Sequence, residues 1–394
     1  MYYKIGAKSV RFCLGAALFK RMPRICSIRS AIIMSINSEY FLPESAAAKL
    51  DKLVDQIEER PGRLVNPEEL RASAASLDVK EVVKQLPEGI TEDDFIGILK
   101  LAMLTECATD SYSAVFREGA TTYNAPWLAR FNDTVWTPDE YTHYTPYQYM
   151  LQSLGYSEEQ LKNEMTDVQG IHYEHCCGKT PVELTTYGIA QEYLTDNWHG
   201  MISMLLRDVA PYAAQSATAV KRRETLHTIW YREMTALQVE ENPELIPLVA
   251  ATLKSFQMPG TRLVPHFGNR ALEWMAKANV DFPRVASDFV RNFYEVAGSM
   301  KRAGYLFVDL AAKRGMKVGP VPLSSINKVL SKIGGPGYGI VGEAVLDKFG
   351  VPRPSNVKQT SPINITPRLY ESFRSSVKNV IASRIDNTAI IGKV

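Results

Sequence analysis

Two short segments carry the same pair of side chains: Glu140-Tyr-Thr-His143 and Glu224-Thr-Leu-His227, each a Glu-x-x-His. Three residues along a helix turn the side chain through most of a revolution, so the Glu and His of each segment project from one face. Either pair alone could be a surface ion pair, but a carboxylate beside an imidazole is also half of a metal site. A lone Glu precedes each pair at nearly the same interval. Glu106, in LKLAMLTECATDSYSAVF, stands 34 residues before Glu140, and Glu192, in TTYGIAQEYLTDNWHGMIS, stands 32 before Glu224. Two antiparallel helices joined by a short loop return to the same height after about that interval.

The candidate metal ligands are therefore Glu106, Glu140, His143, Glu192, Glu224 and His227. One Glu from each of two helices, plus Glu-x-x-His from each of two others, is the ligand set of ferritin-like dinuclear metal proteins. Four buried carboxylates would each cost several kcal/mol to desolvate if left unpaired. Two divalent ions cancel all four charges. Oxygen-rich ligation with one imidazole per ion suits iron or manganese, and the lack of thiolates argues against structural zinc.

Such ligands must be carried on helices, and the apolar spacing supplies them. A helical pattern starts after Pro43 and runs to about residue 60, with Leu50, Leu53, Val54 and Ile57 on one face. A short helix is expected at 79–85, followed by four long ones at 92–118, 124–153, 180–208 and 210–240, with a connecting helix at 157–170. Pro138 and Pro146 should kink or break the second of the four. Further helices are expected at 244–257 and 283–313. Strand signals are sparse, so the expected fold is all-α, a ferritin-like four-helix bundle core with additional helices. The halves containing Glu106 to His143 and Glu192 to His227 look like a degenerate duplication; Tyr147 and Tyr231 each lie seven residues past the Glu of their motif.

Composition bounds the rest. An apolar content of 45% supports a large core, and a net charge of +2 gives no nucleic-acid footprint. The five cysteines, at 13, 26, 107, 176 and 177, form no disulfide framework, which favours a reducing compartment. No apolar run reaches membrane-spanning length. Residues 1–38 hold seven Lys or Arg and no Asp or Glu. That is the composition of a transit segment, or of an upstream in-frame start with the protein beginning at Met34. The compartment is accordingly the bacterial cytoplasm, or the plastid stroma if the segment is a transit peptide. Residues 40–314 form the expected metal-binding domain, and 315–394 a Gly, Pro and basic extension.

With the ligands placed, the sequence resembles the soluble acyl-acyl carrier protein desaturases, from about Pro43 to Pro265. WTPDEYTHY is similar to the family's Trp-Thr-Ala-Glu-Glu-Asn-Arg-His, and RRETLH to its Asp-Glu-Lys-Arg-His. MLTECATDSY resembles the family's Ile-Thr-Glu-Glu-Ala helix, and QEYLTDNWH its Gln-Glu-Arg-Ala-Thr helix, with Thr195 and His199 on family positions. The resemblance implies two Fe(2+) ions on the six ligands and a double bond inserted into a fatty acyl chain carried on acyl carrier protein. It also implies dioxygen, a ferredoxin-like electron donor and a homodimer. Thr195, one turn from Glu192, could donate a hydrogen bond or a proton to reacting oxygen, or could bond its own helix backbone. Gly188 could leave room above the metals or serve helix packing.

The departures matter too. Arg223 stands where the family has an Asp that would bond the His of the opposite helix, whereas Asp139 keeps the corresponding carboxylate. Such partners typically change metal affinity or activity about 10-fold to 100-fold. The N-terminal helix lacks the family's Trp. These departures keep open an oxygenase that hydroxylates or N-oxidises another substrate; a non-enzymatic iron-binding protein is a third reading. Lys221, Arg222 and Arg223 could be a basic spot for an acidic carrier or a solvated face, with Lys52, Arg60, Arg63 and Arg71 as another docking set. His172, His175, Cys176 and Cys177 suggest a second metal site, but adjacent cysteines rarely share one tetrahedral ion, so a connector is the better reading.

Overall fold

The computed structural model describes residues 40–74 and 79–296, and these contain helices and no strand, so the fold is all-α. The two terminal extensions and the end of the 283–313 helix lie outside the described residues. In chain order the helices are α1 (Glu44–Glu59), α2 (Pro67–Ala74), α3 (Val79–Gln85), α4 (Glu92–Glu106), α5 (Thr109–Thr122) and α6 (Pro126–Arg130). Next come a π-helical stretch, Phe131–Trp136, then α7 (Thr137–Glu140), α8 (Thr145–Ser153), α9 (Glu158–Gln169), α10 (Pro181–Leu206) and α11 (Pro211–Glu241). A 3-10 turn, Pro243–Leu245, leads to α12 (Ile246–Ser255), α13 (Gly260–Leu263), α14 (Pro265–Gly268), α15 (Ala271–Lys277) and α16 (Phe282–Val296).

Local chemistry explains the clean helix starts. Thr91 with Asp94, Ser157 with Gln160 and Thr180 with Glu183 each form a capping box, and Pro181 and Pro211 sit in the first turns of α10 and α11. The capping Asp94 also ties down α15: Trp274 Nε1 donates to it at 3.0 Å, Lys277 Nζ at 2.8 Å, and Arg270 donates as well. Burial alone would raise the Asp94 carboxyl, but these donors hold it well below the usual carboxylate range.

Two expected long helices are interrupted. The helix expected at 92–118 stops at Glu106 and restarts at Thr109. The carbonyls freed at the break find side-chain donors: Thr105 O accepts from Tyr112 Oη (3.1 Å), Glu106 O from Thr109 Oγ1 (3.0 Å) and Cys107 O from Gln169 Nε2 (2.9 Å). The helix expected at 124–153 is divided three times, and the two prolines account for part of it, since Pro138 lies in α7 just after the π stretch and Pro146 opens α8. His143 thus stands in a tight turn, with its N–H donating to Glu140 O at 3.0 Å, and not on a continuous helix as the spacing suggested.

The second pair of helices is unbroken. α10 and α11 pack against each other extensively, and at Gly188 the Tyr231 ring of α11 lies against the α10 backbone. A Cβ there would meet the Tyr231 ring at 2.6 Å, so Gly188 serves helix packing.

Candidate metal centre

The six sequence-nominated residues meet in the interior. Glu106 ends α4, Glu140 ends α7, His143 follows in the turn, Glu192 lies on α10, and Glu224 and His227 lie on α11. Their exposure runs from 0% to 6%, too little for water to solvate four carboxylates. They form two groups, Glu106, Glu140, His143 and Glu224 in one and Glu140, Glu192, Glu224 and His227 in the other, with ligand atoms in each within 4.8 Å of one another. Glu140 and Glu224 belong to both.

Orientation within the groups fits metal ions. Both imidazoles turn Nδ1 inward: His143 Nδ1 is 2.7 Å from Glu224 Oε1, and His227 Nδ1 is 2.8 Å from Glu140 Oε1. Those four atoms are buried and make no hydrogen bond. Polar atoms that converge without bonding one another are what a cation would satisfy, so these clusters can hold metal ions.

The charges in the metal-free cluster are strained accordingly. Burial raises the Glu106 carboxyl to about 7 and pushes Glu192 well above its ordinary value, with the Glu224 charge adding to the second effect. Glu224 is driven the other way: burial opposes its ionisation, but the His143 and His227 imidazoles hold it well below the usual range. Burial would also keep His143 and His227 neutral, yet the surrounding carboxylates raise His143 well above its ordinary value and His227 to about 10.

Around the ligands lies a layer of partners, only some of them foreseen. Asp139 Oδ2 lies 2.8 Å from His227 Nε2, on the ring face away from the cluster. Arg223 corrects an expectation: it is 1% exposed and belongs to no surface patch. Its Nε donates to the same Asp139 oxygen at 2.6 Å, its Nη1 donates to the Pro61 carbonyl, and its guanidinium stands 5.4 Å from the Trp230 ring centre. Of the supposed basic spot, Lys221 pairs with Asp196 at 2.7 Å and Arg222 is exposed. Lys52, Arg60, Arg63 and Arg71 are all exposed, with Arg63 paired to Glu69.

Trp136 and His199 had no role assigned from the sequence, whereas Thr195 did. Trp136 Nε1 donates to Glu192 Oε1 at 3.1 Å, and its place four residues before Glu140 is the signal that could have identified it. His199 Nε2 lies 3.2 Å from Glu106 Oε1, while its Nδ1 is hydrogen-bonded to the Tyr147 hydroxyl. Thr195 bonds its own helix backbone, its hydroxyl lying 3.1 Å from the Gln191 and Glu192 carbonyls, and it also lies 3.3 Å from Glu224 Oε2.

No protein-family model matches this chain, and no curated protein matches it in sequence. The site therefore has to be read from its own geometry. Beside it lies a cavity of about 400 Å³ whose walls include Leu101, Leu194, Trp198, Phe256, Leu272 and Met275. Glu106 and Thr195 line it as well, with Thr105, Gln257, Thr261 and Asn269 as further polar residues. Among the described residues, His172, His175, Cys176 and Cys177 do not gather into a metal-ligating group, in keeping with a connector. No described helix is long and apolar enough to cross a membrane.

Proposed function

We propose that the chain is a ferritin-like di-iron desaturase that inserts a double bond into a fatty acyl chain carried on acyl carrier protein. The observation that carries this reading is the meeting of two things at Glu106: a pair of carboxylate-imidazole clusters sharing Glu140 and Glu224, and a largely apolar cavity that Glu106 also lines. Glu106 and His143 would hold one ion and Glu192 and His227 the other. Oxygen-rich, thiolate-free ligation with one imidazole each favours iron or manganese. When bound, the ions would supply the oxidising power to break unactivated C–H bonds, using dioxygen and two electrons from a ferredoxin-like donor.

The rest of the chemistry is placement. An alkyl chain offers only length and bend for recognition, and each buried methylene contributes about 0.8 kcal/mol. The cavity walls would hold the chain, exclude water and set one pair of methylenes beside Glu106. Thr195 has one hydroxyl proton to share among the Gln191 and Glu192 carbonyls and Glu224 Oε2, and would steady that carboxylate when the proton turns toward it.

The test is iron analysis of anaerobically purified protein, followed by turnover with acyl carrier protein substrates and a reduced ferredoxin. Two irons per chain and a product two hydrogens lighter are expected. A product carrying added oxygen would replace desaturation with oxygenation at the same site. Turnover that survives Glu192→Gln or His227→Ala would remove the metal cluster from the mechanism altogether.

A further inference from the structure

The two clusters use the same ligand types but are not supported alike. In the Glu192 and His227 half, both ligands are held from outside: Trp136 Nε1 donates to Glu192, and Asp139 Oδ2 lies within hydrogen-bond distance of His227 Nε2. Asp139 is itself fixed by Arg223, which is anchored in turn on the Pro61 carbonyl and the Trp230 ring. Gly62 lets the chain close over that guanidinium, with φ of +74° and room for no Cβ, which would meet Arg223 Nη1 at 2.9 Å.

In the Glu106 and His143 half the imidazole lacks this support. His143 Nε2 is buried without a hydrogen-bond partner, and the nearest carboxylate oxygen, Asp139 Oδ1, stands 3.7 Å away. Asp139 lies between the two imidazoles, and Arg223 binds the oxygen that faces His227. Glu106 is engaged by His199, a contact an incoming ion has to share or displace. Of the six ligand residues, Glu106 alone lines the cavity.

We propose that the two ions bind unequally and in order: the Glu192 and His227 half fills first and tightly, and the Glu106 and His143 half, beside the cavity, holds an exchangeable ion. The physical cause is the outer partner of each imidazole. A ring whose distal nitrogen is bonded to a carboxylate is fixed in tautomer and orientation and made more basic, which is worth about 10-fold to 100-fold in affinity. Arg223 selects which ring receives that carboxylate and so acts as a positioning residue. The inference rests on the dinuclear reading above.

The experiment is an anaerobic titration of the full metal-free chain with Co(II), followed by visible absorption and calorimetry, on the native protein and on His143→Ala, His227→Ala and Asp139→Asn. Two ions are expected in the native protein, with dissociation constants about 10-fold to 100-fold apart. His143→Ala should retain one ion at the tighter constant, and His227→Ala one ion at the weaker. Asp139→Asn should weaken the tighter constant toward the other. Two ions with equal constants, or His143→Ala and His227→Ala variants that bind alike, overturn the ordered filling while leaving the dinuclear site intact. Fewer than two ions in the native protein overturns both. The two histidine variants keep the test decisive even if Asp139→Asn fails to fold.

Discussion

The half of the molecule that carries Glu106, Glu140 and His143 is a chain of short helices, whereas the half that carries Glu192, Glu224 and His227 is two unbroken ones. α10 and α11 span Pro181–Leu206 and Pro211–Glu241, while the corresponding stretch from Glu92 to Ser153 is divided by a break after Glu106, a π-helical stretch and a turn at His143. Both scaffolds deliver the same three side chains, two Glu and one His, to one centre. A Glu-x-x-His can therefore be presented by a regular helix, or by a turn whose i to i+3 hydrogen bond keeps the two side chains on one side. The broken half also braces the other: Trp136 and Asp139 come from its irregular stretch and hold Glu192 and His227. Irregularity here carries the outer partners of the site, as π-helical stretches often do.

The largest expected effect falls where the halves overlap. Glu140 and Glu224 belong to both clusters, so Glu140→Gln or Glu224→Gln should abolish binding of both ions, read as metal per chain falling from two toward none. A single unshared ligand should cost one ion. If Glu224→Gln kept one ion at native affinity, the halves would be independent mononuclear sites and the comparison would lose its shared centre.

A smaller effect should separate the scaffolds by stability. Gly188→Ala pushes a methyl into the Tyr231 ring in the continuous hairpin, and overpacking of this kind costs about 1–3 kcal/mol. Pro146→Ala in the broken half removes a first-turn proline whose missing N–H costs the helix nothing, so its effect should stay below about 1 kcal/mol. Urea denaturation of the metal-free proteins measures both. Equal losses would mean that the hairpin is no more closely packed than the segments it faces.

Much of this was legible in the sequence, and the parts that were not share a cause. That the six residues could meet was readable because a charged pair at helical spacing in an apolar stretch has few other uses, and the prolines announced two of the breaks. The break after Glu106 was not readable. Its carbonyls are satisfied by Tyr112, Thr109 and Gln169, and the last of these lies on α9, far along the chain. Arg223 looked like part of a charged surface run for the same reason, since its partners Asp139 and Pro61 are remote in sequence. α13, α14 and α15 are too short to show a period, yet residues of all three elements or their joints line the cavity or latch onto Asp94. Local pattern reveals which residues are chemically able to meet, and long-range hydrogen bonding decides how each is held.

The last difference between the halves should appear as a pH slope. The surrounding carboxylates raise His143 well above its ordinary value and His227 to about 10, so the His227 imidazole holds a proton between pH 6 and 8 and His143 is shifted toward its protonated form. An ion needs the neutral nitrogen, so binding expels that proton and affinity must rise with pH, by about tenfold per unit for each proton released. Glu192, raised well above its ordinary value by burial and by Glu224, is shifted toward its protonated form in the other half. Glu106 at about 7 loses its proton within the window. Below pH 7 the Glu106 half should therefore release more protons per ion than above it, and its affinity should climb more steeply on the acid side. Calorimetry in buffers of different ionisation enthalpy counts the protons directly. An affinity that stays flat from pH 6 to 8 would mean that both imidazoles are neutral before metal arrives, and that Asp139 is balanced by Arg223 instead of by the rings.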